Sequence, residues 1–156
     1  MKQMWSKEEI EKVSKATPKD ITTLVDSAGN PRFIEGEGSP LEQEGVTNTY
    51  CKWSLSGTHL MLVYAGTLED TITISSNAIL ASFTLPSWIL NKIYPVWDQY
   101  LDFRQASAYA SGGTSQYISM LIGKTSSGIQ LVKNGNLTLT AKRSFRIQFD
   151  LLIDAE

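Results

Sequence analysis

Catalysis needs titratable groups that converge on one point, and this chain offers few. His59 is its single histidine, so a histidine-based zinc site is excluded and any Ser–His–Asp arrangement would rest on that one ring. It stands in an apolar run, which predicts a structural role. Ser54 and Ser56 flank Leu55 without the Gly-x-Ser-x-Gly elbow that would present a nucleophile. Gly123-Lys124-Thr125 has the ending of a phosphate-binding loop, but the position where that motif needs its first glycine is Ile118, and a turn follows instead of a helix. Paired carboxylates are the remaining route, since glycoside cleavage uses two. The candidates are Glu69-Asp70, which reads better as the top of a turn, and Asp98 with Asp102. Glu35, Glu37, Glu42 and Glu44 lack the spacing of a calcium loop and read as a solvated acidic loop. No catalytic residue, metal or cofactor is expected, and a non-enzymatic role follows.

Binding is better served. Trp88, Tyr94, Trp97, Tyr100, Phe103, Tyr109 and Tyr117 crowd into one stretch, and rings with polar edges suit sugars and protein epitopes. Trp88 and Tyr94 read as core plugs where the chain crosses between sheets. Trp97, Asp98, Tyr100 and Arg104, with Tyr109, form the expected ligand-binding set. Between Val46 and Gly123 the only charges are Lys52, Glu69, Asp70, Lys92, Asp98, Asp102 and Arg104. The net charge is −2, and no basic stripe exists to neutralise phosphates, which excludes nucleic acid as a partner. Lys142, Arg143 and Arg146, interleaved with Phe145 and Ile147, read as the solvated face of a strand. Cys51 is the only cysteine, so no intrachain disulfide forms and an inert, buried thiol is expected. The charged residues that follow Met1-Lys2-Gln3-Met4-Trp5 predict no secretory leader, and no apolar window reaches the ~18 residues of a membrane span. Synthesis in a cytoplasm without membrane insertion is the expectation.

The elements that must hold these residues are mostly strands. Residues 1–17 form an expected helix, opened by a capping box over Ser6-Lys7-Glu8-Glu9 and a staple of Trp5 on Ile10, and ended by Thr17-Pro18. Residues 18–45 read as a connector with one strand, Ile21–Val25, followed by turn signals at Asp26–Pro31, Gly36, Gly38 and Pro40. Residues 46–156 read as the head domain. Its expected strands are Tyr50–Leu55, His59–Ala65, Thr71–Ile74, Ile79–Leu85, Leu101–Ala110, Gln116–Ile122, Gly128–Val132, Leu137–Ala141 and Phe145–Ile153. The last alternates Phe145, Ile147, Phe149, Leu151 and Ile153 with Arg146, Gln148, Asp150, Leu152 and Asp154, so one face is buried and the other wet. Asn134-Gly135 is a hairpin signal between Val132 and Leu137. About eight or nine short strands at this spacing predict an all-β, antiparallel β-sandwich, jelly-roll-like, with a short N-terminal helix.

Two strands break the alternation. Leu60 to Ala65 and Ile118 to Ile122 are apolar on nearly both faces, whereas a sandwich strand usually turns one face to water. A second covering surface is implied, and an oligomer interface through Leu60, Leu62, Tyr64, Ile118, Met120 and Ile122 is the sharper form of that expectation.

This pattern resembles the carboxy-terminal head domain of bacteriophage tail-fibre and receptor-binding proteins. The residues that carry the resemblance are Trp53-Ser54-Leu55-Ser56-Gly57, the strand Leu60 to Ala65, Ile79 to Pro86 with Tyr94-Pro95, and the closing strand Phe145 to Ile153. It covers roughly residues 50–156, and the insertion Ser87–Ile93 is longer than that family's interval between the two prolines. The resemblance implies a homotrimer at a fibre or baseplate tip that binds host-surface carbohydrate or protein. It also implies contact with other virion proteins through the N-terminal segment, and location in the virion. A capsid-decorating or head-fibre protein without a host ligand is the alternative, and a small glycan hydrolase stands third.

Overall fold

The computed structural model describes Ser6 and residues 24–94, 100–110 and 115–153. Eleven strands fall in these residues: β1 Phe33–Glu37, β2 Ser39–Pro40, β3 Val46–Ser56, β4 His59–Leu68, β5 Ile72–Ile74, β6 Ile79–Thr84, β7 Tyr100–Tyr109, β8 Gln116–Lys124, β9 Gly128–Lys133, β10 Leu137–Leu139 and β11 Arg143–Leu152. A single helical turn, α1 Ser87–Leu90, follows β6. The all-β, antiparallel fold expected from the alternation is what the chain adopts. The expected N-terminal helix lies, apart from Ser6, outside the described residues.

Nine strands make one sheet in the order β1-β3-β4-β11-β7-β8-β9-β6-β2. The sheet rolls up because its two outermost strands are consecutive in sequence. β1 pairs with β3, β2 pairs with β6, and between them the Gly38 amide donates to the Cys51 carbonyl at 2.8 Å. Glycine is required at that crossing. A Cβ on Gly38 would stand 2.6 Å from Cys51 Sγ and 2.7 Å from the Phe83 ring, and one on Gly36 would stand 2.3 Å from the Trp53 indole. Residues 33–40, read from sequence as connector, are therefore part of the barrel wall. The expected strand Ile21–Val25 is described only at its end, where Val25 forms one bridge to Pro31.

Inside lie Leu60, Leu62, Tyr64, Phe83, Ile118, Met120, Ile122, Ile129, Leu131 and the inward face of β11, Phe145, Ile147 and Phe149. The Tyr64 and Phe145 rings meet edge to face, 5.1 Å apart. An interior void beside them measures about 10 Å³, room for no more than one water. The six residues expected to meet other copies are thus core. Leu60, Met120 and Ile122 are 0% exposed, Leu62 1%, Tyr64 and Ile118 2%. The barrel interior, not a partner, covers the face to which these six belong. The outward residues of these strands are the other parity: Met61, Val63 and Ala65 on β4, Tyr117, Ser119 and Leu121 on β8.

The short ribbon of β5 and β10 covers one end of the barrel, burying Ile72, Ile74 and Leu139. Gln116 fastens it, its Nε2 donating to the Thr138 carbonyl at 3.3 Å and its Oε1 accepting from the Thr140 amide at 2.9 Å. Asn134-Gly135 does turn the chain, with Gly135 at φ 74°. The strand that follows pairs with β5 and not with β9, so the turn is a handover to the ribbon. At the other end α1 buries Ile89 and Leu90 beside the Gly57-Thr58 turn of the β3–β4 hairpin, where Gly57 has φ 65°.

Candidate binding face

The rolled sheet has two halves, and register fixes which side chains each presents. On β1, β3, β4 and β11 the outward side chains include Glu35, Glu37, Lys52, His59, Arg146 and Asp150. Lys52 pairs with Glu37 at 3.1 Å and His59 with Asp150 at 3.0 Å. His59, expected to be structural, is half exposed in that pair. Every strand of this face carries charge, with exposed Phe33, Tyr50 and Leu152 standing among the ion pairs.

The half formed by β7, β8, β9 and β6 has the opposite character. Ile79 opposes Val132, Val132 opposes Leu121, and Leu121 opposes Phe103, so one apolar row crosses all four strands on the outside. Toward α1 the next row is Ser82, Gln130, Gly123 and Tyr100, with the Tyr100 ring against Gly123, where a Cβ would come within 3.7 Å. Toward the ribbon the rows are Gln105 with Ser119, then Ser107 with Tyr117, and Tyr109 beyond. Phe103, Tyr117 and Tyr109 are 52%, 56% and 64% exposed. No outward position of these four strands carries a charged side chain.

The basic residues of this half are all turned inward. Arg104 opposes Met120, so it projects to the inner side, where its Nε donates to Asp102 Oδ2 at 2.9 Å and its guanidinium lies over the Phe149 ring at 5.4 Å. Lys124 Nζ donates to the Ile93 carbonyl at 2.6 Å. Lys133 is buried, with its Nζ given to the carbonyls of Ser119, at 3.0 Å, and Asn134. Desolvation pushes the Lys133 pKa down.

Asp102 and Arg104 are exposed although they have the inward parity, because the barrel wall parts there. β11 pairs with β7 only at Ser144–Tyr109 and Phe145–Ala108, and beyond Phe145 the two strands diverge. Inward-pointing charge at an open edge discourages pairing with other strands.

The expected ligand set is consequently divided. Trp97 and Asp98 lie outside the described residues. Tyr100 and Tyr109 belong to the charge-free face, while Arg104 stands on the other side of the same strand. Five residues also separate Arg104 from Tyr109, about 17 Å of strand. Tyr94, expected as a core plug, is 70% exposed, and Trp88 is half-buried. The members that the expected set omits are Phe103, Gln105, Tyr117 and Ser119. Their signal was parity: in Tyr117 to Ile122 the less apolar alternate positions are the ones that face out.

The two remaining groups of titratable side chains are structural. Asp26 accepts from the amides of Ala28 and Asn30, from Asn30 Nδ2, and from Lys92 Nζ at 3.1 Å. Burial alone would raise its pKa, but the Asn30 bonds and the Lys92 ammonium outweigh it and hold the carboxyl at about 2. Glu69 is held below the usual carboxylate range by the Lys142 ammonium, 3.1 Å away, and the Thr47 hydroxyl. Cys51 is buried, and desolvation pushes its thiol up to about 12. Among the described residues no three of His, Cys, Asp and Glu are grouped to hold a metal.

No protein-family model and no curated protein matches the sequence. Among solved structures, the chain is similar to the reovirus attachment protein sigma1, crystallised in complex with alpha-2,3-sialyllactose. The TM-score is 0.38 and the identity 12%, over 83% of this chain and 73% of that one. At that TM-score the two folds are not equated.

Proposed function

We propose that this protein is a non-enzymatic adhesion module of a bacteriophage virion, a homotrimeric fibre or baseplate tip that holds host cell-surface glycan. The observation that carries this reading is the charge-free face of β6, β9, β8 and β7. Its exposed Phe103, Tyr109 and Tyr117 are framed by amides and hydroxyls on a barrel whose interior is filled. Rigid aromatic rings with polar neighbours bind at little entropic cost, and several copies on one virion multiply weak contacts. The non-enzymatic reading is supported by the state of the candidate carboxylates. A glycosidase needs two carboxyls free to act on one bond, whereas Glu69 is tied to Lys142 and Thr47 and Asp102 to Arg104. The N-terminal segment would attach the module to the rest of the particle.

The apolar row Ile79–Val132–Leu121–Phe103 favours one second reading, a capsid-decorating or head-fibre protein whose face meets another virion protein. Purified protein tested against a panel of bacterial strains separates the two. Adhesion predicts saturable cell binding with no release of sugar from host polysaccharide. Sugar release would contradict the non-enzymatic assignment, and a lack of binding to every strain would favour the decorating role.

A further inference from the structure

We infer that the charge-free face takes a neutral saccharide chain laid lengthwise along β7 and β8, and that it discriminates against acidic polymers. This rests on the adhesion reading above and names its ligand class. A carboxylate, sulfate or phosphate brought onto this face would lose water without meeting a cation, which is costly. Among the described residues the cations of these strands are already committed: Arg104 to Asp102 and Phe149 on the inner side, Lys124 to the Ile93 carbonyl, Lys133 to two carbonyls in the wall. What remains outside is suited to hydroxyl-rich, uncharged rings. Phe103 stands at one end of the track and Tyr117, with Tyr109 diagonal to it, at the other. Gln105 and Ser119 lie between and Ser107 stands beside Tyr117, offering donors and acceptors for sugar hydroxyls. Four strand positions separate Phe103 from the Ser107–Tyr117 pair, about 13 Å. That separation exceeds the span of one sugar ring and suits two stacking platforms under non-adjacent sugars of one chain, not one pocket for a terminal sugar.

The test sets immobilised full-length protein against neutral polysaccharides (a glucan, a mannan, a galactan) and acidic ones (polygalacturonate, polysialic acid), each at low and high sodium chloride. The expected result is binding to a neutral polymer that strengthens with oligosaccharide length and is unchanged by salt. Phe103→Ala and Tyr117→Ala should each weaken it about tenfold without altering the far-UV spectrum, and Gln105→Lys should create affinity for the acidic polymers. Preference for acidic polymers that is lost at high salt would overturn the neutral-sugar assignment and leave adhesion standing. So would cell binding that no neutral polysaccharide competes. Conversion of an oligomer to a monomer by Phe103→Ala would also overturn it, because the face would then belong to a second copy. Failure to bind any polymer or any bacterial cell would remove the adhesion reading itself.

Discussion

Asp26 carries more local order than any other single side chain described. Its two oxygens organise the Asp26–Asn30 turn and anchor Lys92, tying the segment before β1 to the segment after α1. Its carboxyl is depressed from 3.8 to about 2, so the stability it contributes is fully present above pH 3.8 and drains away as pH falls toward 2. Asp26→Asn should cost about 1–3 kcal/mol at neutral pH, measured by urea unfolding, and the gap between variant and wild type should close through that acid window. A gap that stays constant down to pH 2 would contradict the assignment. At this scale sequence reading reached the residues that act alone: Cys51 is buried and unpaired as expected. It failed where strand pairing decides a role, as when the register of Arg104 opposite Met120 sets it on the inner side over the Phe149 ring.

Strands were legible and their neighbours were not. Apolar runs bounded by turn signals placed all nine strands from β3 to β11, and on β11 alternation also gave the inward face, because the period of two is written in consecutive residues. On β4 both parities are apolar, so periodicity could not say which one the barrel encloses, and a shift of one residue exchanges every inside for an outside. The Asn134-Gly135 turn was readable, but the partner of β10 is set by the ribbon that closes the end of the barrel. Closure itself depends on Gly38, which the sequence offered only as a turn signal. Gly38→Ala should force Cys51 and Phe83 apart or lift the strand from β3, at a cost of about 1–3 kcal/mol. Hydrogen exchange should quicken first at the Gly38 amide and along the β2–β6 edge. Unchanged protection there would show that the crossing tolerates a side chain.

The whole molecule is a packed barrel with two unlike outsides. One is laced with ion pairs, and the other has its cations withdrawn and its tyrosines, phenylalanine and amides turned out. No single segment shows this difference. It arises only when β6, β7, β8 and β9 lie side by side, which is why the aromatic-rich stretch was visible in the sequence while the face it helps to build was not. The measurement that tests the central claim most directly is amide chemical-shift mapping of the full-length protein titrated with the best-bound neutral oligosaccharide. The account predicts perturbations concentrated at residues 103–109 and 117–121. Perturbations centred instead on Glu35, Lys52 and Arg146 would place recognition on the charged face and contradict it.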